Sequence, residues 1–241
     1  MALVTGGTKG LGRAIAVGLA EAGADIAVAS RTPDEDLEME ISKLGRRYAH
    51  YRVDLTQREQ TKKLVPFISE TIGDIDILVN NAGIIRRSPA EEYTETDWDT
   101  TIEIDLTATF ILSQAAGKTM LRKGKGKIIN IASVLSFQGG INVVAYAASK
   151  HGIVGITKAL ANDWAKKGIN VNAIAPGWFV TDLTEPLQKD PGRSKSLVVR
   201  TPAGRWGDPT DIAGAAVFLA SPASDFLHGE ILTVDGGWMS W

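Results

Sequence analysis

Three residues in the middle of the chain have the types and spacing to move a proton on and off an oxygen atom: Ser133, Tyr146 and Lys150. The run Lys-Ile-Ile-Asn-Ile-Ala-Ser ending at Ser133 is short and β-branched, which predicts a buried strand that delivers the serine at its end. Gly139-Gly140 breaks that pattern, and a helical pattern begins near Ala145. Tyr146 and Lys150 are four apart, so their side chains share one helix face about a turn apart. A phenol with its ordinary pKa of about 10 is a poor proton carrier at neutral pH. A nearby ammonium favours the phenolate and turns the tyrosine into a usable general acid or base. Ser133 is then placed to hydrogen-bond the reacting oxygen, and the chemistry suits a carbonyl/alcohol pair. A Tyr and a Lys at this spacing also occur on ordinary solvated helices, so the assignment depends on the elements around them.

The N-terminal half predicts a dinucleotide site. Ala2-Leu3-Val4 reads as a buried strand, Thr5-Gly6-Gly7-Thr8-Lys9-Gly10-Leu11-Gly12 as a glycine-rich turn, and Arg13 to Ala22 as a helix. Such a turn lets backbone approach a pyrophosphate, and the helix start offers N–H groups and the positive end of a dipole. The second strand, Asp25 to Ala29, ends at Ser30-Arg31-Thr32. An acidic residue at this place would accept hydrogen bonds from an NAD ribose. Ser30, Arg31 and Lys9 instead suit a 2′-phosphate, which predicts NADP(H), with NAD(H) as the alternative.

Strand and helix patterns go on alternating. Helices are expected over about Asp34–Leu44 and Arg58–Ile72, and strands over Tyr48–Val53 and Ile75–Val79. A long helix follows, around Trp98 to Lys123; later come strand Asn170–Ile174, helix Thr210–Ala220 and strand Glu230–Val234. The expected fold is α/β, doubly wound, with a mainly seven-stranded parallel sheet flanked by helices on both faces and a cofactor across the strand ends. One domain spans 1–241. The polar, Pro- and Gly-broken stretch 182–207 reads as a substrate lid.

The Thr-Gly-x-x-x-Gly-x-Gly turn, Asn80-Asn81-Ala82-Gly83, Ser133 and Tyr146-x-x-x-Lys150 together resemble the short-chain dehydrogenase/reductase family over essentially the whole chain. The resemblance implies reversible hydride transfer, with Tyr146 trading the proton, Ser133 positioning the oxygen, and Lys150 tuning Tyr146 while holding the cofactor ribose. It also implies that Asp54 meets the adenine amino group and that Ala82 and Gly83 let the ribose pass, with Leu55 and Asn81 beside them in the cofactor site. Pro176, Gly177 and Thr181 would then face the nicotinamide. Where the family usually has the asparagine of its catalytic tetrad this chain has Asp105, a carboxylate able either to pair with Lys150 and raise its pKa or to cap a local helix distortion.

A net charge of −2 gives no pull towards nucleic acid or anionic membrane. With no cysteine and with His50, His151 and His228 scattered, no metal site is expected. The absence of a leader pattern and of any long apolar run leads to an expected cytoplasmic, soluble protein. The Tyr146 helix carries apolar and small residues on two sides, which with the resemblance predicts a homodimer or homotetramer. Arg86 and Arg87 follow the Asn-Asn-Ala-Gly turn, while Arg193, Arg200 and Arg205 lie in or beside the lid; guanidinium groups suit carboxylate recognition. Runs including Leu-Ser-Phe-Gln138-Gly-Gly and Pro-Ala-Gly-Arg205-Trp-Gly resemble the gluconate and 2-keto-3-deoxygluconate dehydrogenases. The expected substrate contacts are Arg86, Gln138, Arg193 and Arg205, on a sugar acid. A 3-oxoacyl-carrier-protein or general carbonyl reductase is the alternative enzyme, and a non-catalytic dinucleotide sensor the alternative of another class.

Overall fold

The computed structural model of the protein describes residues 1–240. Trp241, inside the expected domain, lies outside the described residues. In chain order the elements are β1 (Ala2–Thr5), α1 (Gly10–Glu21), β2 (Ile26–Ser30), α2 (Glu35–Lys43), β3 (Tyr48–Arg52), α3 (Arg58–Thr71) and β4 (Ile77–Asn80). They continue through α4 (Glu95–Ile102), α5 (Ala108–Lys123), β5 (Gly126–Ile131), α6 (Val144–Trp164), β6 (Ile169–Pro176), α7 (Glu185–Gln188), α8 (Pro191–Arg200), α9 (Ala213–Ala220) and β7 (Ile231–Val234).

Among the described residues, seven parallel strands form one sheet in the order β3-β2-β1-β4-β5-β6-β7. Strand side chains alternate between faces, and each face buries its own core. Leu3, Leu78 and Ile128 point to one side, where Leu64, Ile68, Leu112 and Met120 of α3 and α5 cover them. Val4, Val28, Val79 and Ile129 point to the other, against Ile15 and Leu19 of α1, Ile41 of α2 and Leu219 of α9. The strand order reverses between β1 and β4, and at such a switch point folds of this kind offer a crevice at the carboxyl edge of the sheet. No helix of the described residues is long and apolar enough to cross a membrane.

One expectation is borne out with a refinement and one is corrected. The helix expected over Trp98–Lys123 runs unbroken from Glu95 to Lys123, with Glu103–Thr107 wound as a π-turn between α4 and α5. The stretch 182–207 is not irregular throughout, since it contains α7 and α8. Asp190 accepts hydrogen bonds from Gly192 N (2.9 Å) and Arg193 N (3.1 Å), and Pro191 occupies the first helical position. The proline and glycine that look like breakers therefore open a helix.

Candidate active site

The glycine turn is fixed by its neighbours across the crevice. Thr5 Oγ1 accepts from the N–H groups of Asn81 and Ala82, both at 3.0 Å, while Asn81 Nδ2 donates to Thr5 O at 2.9 Å and Gly6 O at 3.3 Å. The Asn81 side chain thus shapes the turn. Helix α1 starts at Gly10 after Lys9, with no side chain capping its first N–H groups. An uncapped helix start behind a glycine turn fits a pyrophosphate. Thr8 is buried, Leu11 packs on the α1 core, and Lys9 pairs with Asp182 at 3.6 Å across the mouth of the crevice.

Ser30 ends β2, donating to Thr32 O at 2.7 Å and lying 2.9 Å from His50 Nε2; Arg31 beside it is exposed. Asp54 Oδ1 accepts from Thr56 N (3.0 Å) and Thr56 Oγ1 (2.8 Å), and Leu55 is a core side chain. At the end of β6, Gly177 N donates to Val234 O at 2.9 Å, and a Cβ on Gly177 would lie 2.7 Å from Asp235 Cα. Thr181 caps the turn that opens the stretch 182–207, and its Cγ2 would stand 3.3 Å from a Cβ placed on Gly10. These residues converge on the crevice from β1, β2, β3, β4 and β6.

Ser133, Tyr146 and Lys150 are brought together beside that crevice. Ser133 follows β5 in extended backbone, and its Oγ accepts from Leu135 N at 3.1 Å. Ser136 Oγ accepts from Ser133 N (3.2 Å) and donates to Lys150 O (2.7 Å), bolting the serine turn to α6. Lys150 is 4% exposed, donates to Ile131 O at 2.9 Å and places Nζ 5.4 Å from the centre of the Tyr146 ring. The π-turn turns Asp105 inward until it is 1% exposed. Its Oδ1 accepts from Ile84 N at 2.8 Å, and its Oδ2 lies 3.9 Å from Lys150 Nζ. The backbone carbonyl of Asp105 accepts from Thr109 Oγ1 at 3.3 Å.

The electrostatics differ from the sequence expectation in direction. Burial pushes the Tyr146 phenol above its ordinary value and the Asp105 charge adds to the rise, with Ser133 and Arg87 opposing it. Burial also holds Lys150 below its ordinary value, more than the Asp105 charge raises it. Asp105 itself is pushed up to about 6 by burial, against the pull of Lys150 and the Ile84 N–H. In the protein alone, removal of solvent and the Asp105 charge outweigh the help that Ser133 and Arg87 give the phenolate.

The expected substrate residues sit unequally. Arg205 grips Asp211 with two hydrogen bonds, at 2.6 and 3.1 Å, and Arg86 pairs with Asp97 at 3.5 Å. Gln138 Oε1 accepts from Trp238 Nε1 at 3.0 Å, and Arg193 is exposed in the first turn of α8. Arg87 donates to Leu183 O at 3.0 Å, and it faces Tyr146 closely enough for each to affect the other's ionisation. Trp178, Trp206 and Trp238 stack edge to face at 6.4 and 5.4 Å, with Arg200 3.8 Å over the Trp238 ring. This cluster, with Val134 and Leu197, joins the stretch 182–207 to the serine turn. Its members are scattered in the chain, so no local pattern marks them.

A doubly wound parallel sheet with a phosphate-binding turn and a Ser/Tyr/Lys cluster at its carboxyl edge defines a dinucleotide-dependent oxidoreductase. A family model described as enoyl-(acyl carrier protein) reductase matches residues 6–239. The chain is 50% identical over 240 residues to the 2-dehydro-3-deoxy-D-gluconate 5-dehydrogenase of Bacillus subtilis (strain 168), covering 99% of this chain and 94% of that protein. It is 40% identical over 238 residues to the gluconate 5-dehydrogenase of Gluconobacter oxydans (strain 621H), covering 98% and 93%. A crystal structure of a gluconate 5-dehydrogenase from Burkholderia cenocepacia J2315, in complex with NADP and tartrate, superposes with a TM-score of 0.94 at 41% identity, covering 100% of this chain and 95% of that one. The chain belongs to the short-chain dehydrogenase/reductase family.

Proposed function

We propose that this protein is an NADP(H)-dependent oxidoreductase that interconverts a secondary alcohol and a ketone on a sugar acid of the gluconate or 2-keto-3-deoxygluconate kind. The observation that carries the reading is the convergence of Ser133, Tyr146 and Lys150 on one point beside a glycine turn backed by an uncapped helix. Gly6, Gly10, Gly12 and the start of α1 would hold the pyrophosphate, and Arg31 with Lys9 the 2′-phosphate. Asp54, Ala82, Gly83, Pro176, Gly177 and Thr181 would border the remainder. When bound, the nicotinamide supplies or accepts the hydride.

The residues of the chain supply the rest of the chemistry. Ser133 Oγ orients the substrate oxygen. Tyr146 gives that oxygen a proton in reduction and takes it in oxidation. Lys150, fixed by Ile131 O, presents a positive charge below the phenol ring. Arg87, next to Tyr146, is the group best placed to hold a carboxylate, and its hydrogen bond to Leu183 O ties it to the lid at 182–207. The names of the relatives support the sugar-acid class, and the complex of one of them with NADP supports the cofactor.

The chain, 1–241, would work as one domain in a cytoplasmic homodimer or homotetramer. The outward face of α6 carries Ala148, Gly155 and Ala159, and Phe110 of α5 is 43% exposed; this small and apolar surface supports self-association. Following NADPH absorbance with keto-hexonates, neutral diketones and acetoacetyl thioesters tests the substrate class. Turnover confined to thioesters would give the acyl-carrier reading instead, and turnover of none would favour a sensor.

A further inference from the structure

Asp105 stands where the family resemblance leads one to expect an asparagine, and its surroundings show what the exchange adds. Asparagine could accept the Ile84 N–H through its amide oxygen just as Asp105 Oδ1 does at 2.8 Å. What only the carboxylate brings is a negative charge. Its second oxygen, Oδ2, is buried without a hydrogen-bond partner among the described residues and faces Lys150 Nζ at 3.9 Å. A Cβ placed on Gly83 would lie 3.4 Å from that oxygen, so the carboxylate sits under the floor of the crevice. A buried, half-satisfied carboxylate is costly, which makes its presence informative.

The groups that share its surroundings are few. From α6 they are Lys150 and Tyr146, and from the segment after β4 Arg87, which acts through Tyr146. Within the π-turn Glu103 is turned away to Arg58, at 3.0 Å. Glu95 and Asp99 of α4 and Lys118, Arg122 and Lys123 of α5 are exposed, and Asp97 pairs with Arg86. Asp105 and Lys150 are therefore opposed charges in a nearly closed volume.

We propose that Asp105 is a positioning residue whose negative charge, set against Lys150, makes the site favour the oxidised dinucleotide, with its positively charged nicotinamide, over the neutral reduced form. This rests on the reading of Ser133, Tyr146 and Lys150 as a hydride-transfer site. The two oxidation states differ by one unit of charge in the ring, so a fixed charge nearby weighs on one and not the other. At the effective dielectric of a protein interior, a unit charge within about 10 Å changes such a preference by on the order of tenfold.

The test is binding, without turnover. Dissociation constants for NADP+ and NADPH are measured calorimetrically on the substrate-free protein and on Asp105→Asn. At pH 8 the ratio Kd(NADPH)/Kd(NADP+) is expected to fall about tenfold in the variant. The wild type gives a second arm that needs no variant. The Asp105 carboxyl, held up to about 6, is charged above that pH and neutral below it. The ratio should therefore fall from pH 8 to pH 5.5 in the wild type and change less in Asp105→Asn. Titration of the 2′-phosphate is common to both forms of the cofactor and cancels, and Lys150, whose ionisation acts in the same sense, is kept in the variant.

Equal ratios for the two proteins at pH 8, or a wild-type ratio that is flat with pH, overturn the inference while leaving the proposed function standing. Failure of both forms to bind overturns the two together. Should Asp105→Asn not fold, the wild-type pH series decides.

Discussion

Replacing Gly12 by alanine measures how tightly the glycine turn is built. A Cβ at this position would fall 2.4 Å from Asn81 Nδ2 and 2.4 Å from the carbonyl oxygen of Gly6. Ordinary contact begins roughly 1 Å further out. Neither neighbour has room to retreat: Gly6 sits at φ +62°, and the Asn81 amide is held by Thr5 O at 2.9 Å. Alanine gains up to ~1 kcal/mol over glycine from helix propensity, while overpacking of this kind costs ~1–3 kcal/mol. A net loss of up to about 2 kcal/mol follows, which lowers Tm by about 2–4 °C per kcal/mol in a chain of this size. The larger effect is on binding, because relief of the clash moves the turn that would meet the pyrophosphate. Thermal melts of wild type and Gly12→Ala with and without NADPH read both effects. Gly214→Ala on α9 is the control, since its Cβ meets nothing within 4 Å and should raise Tm. A Gly12→Ala protein that melts at the wild-type temperature with the full NADPH-induced shift would refute the reasoning.

Tyr146→Phe should lose turnover by a factor of ~10²–10⁴ while NADPH affinity stays near wild type; stopped-flow and calorimetry separate the two, and retained turnover would remove Tyr146 from the chemistry. Arg31→Glu should cut the preference for NADPH over NADH in kcat/KM by about tenfold or more, and an unmoved ratio would mean that Arg31 does not meet the 2′-phosphate. Arg87→Ala should raise KM for keto-acids far more than for neutral diketones, because only the former would engage a guanidinium; an equal rise for both would show a structural effect through the lid. Gly155→Arg on the outward face of α6 should shift the protein to a smaller species in light scattering, whereas an unchanged mass would place any subunit contact elsewhere.

Much of the fold was legible because its signals are local. The short apolar runs of β1, β4 and β5 and the glycine turn after β1 each carry their own period or breaker. Ser133, Tyr146 and Lys150 are brought together as the strand-turn-helix pattern implies. The helices of 182–207 were not legible in the same way, because Pro191-Gly192 reads as a break unless Asp190 is taken as the cap that satisfies the first N–H groups. Nor was the direction of the Tyr146 shift, since a spacing of four residues says that Lys150 is near but not that both groups leave water. The commitments of Arg205 to Asp211 and Gln138 to Trp238 are also closed to sequence reading, the latter across 100 positions. Such pairings exist only once the chain has folded.

The π-turn over Glu103–Thr107 makes this part of the molecule sensitive to length rather than to side-chain type. It fits one more residue into a single coil without ending the rod, so the faces before and after it are out of phase by roughly 100° relative to an unbroken α-helix. Removing any one of the five residues would give an ordinary straight helix with good propensity. That shorter rod could not both cover the sheet with Leu112 and Met120 and aim Asp105 at Lys150. Single-residue deletions here should be far more damaging than substitutions at the same positions.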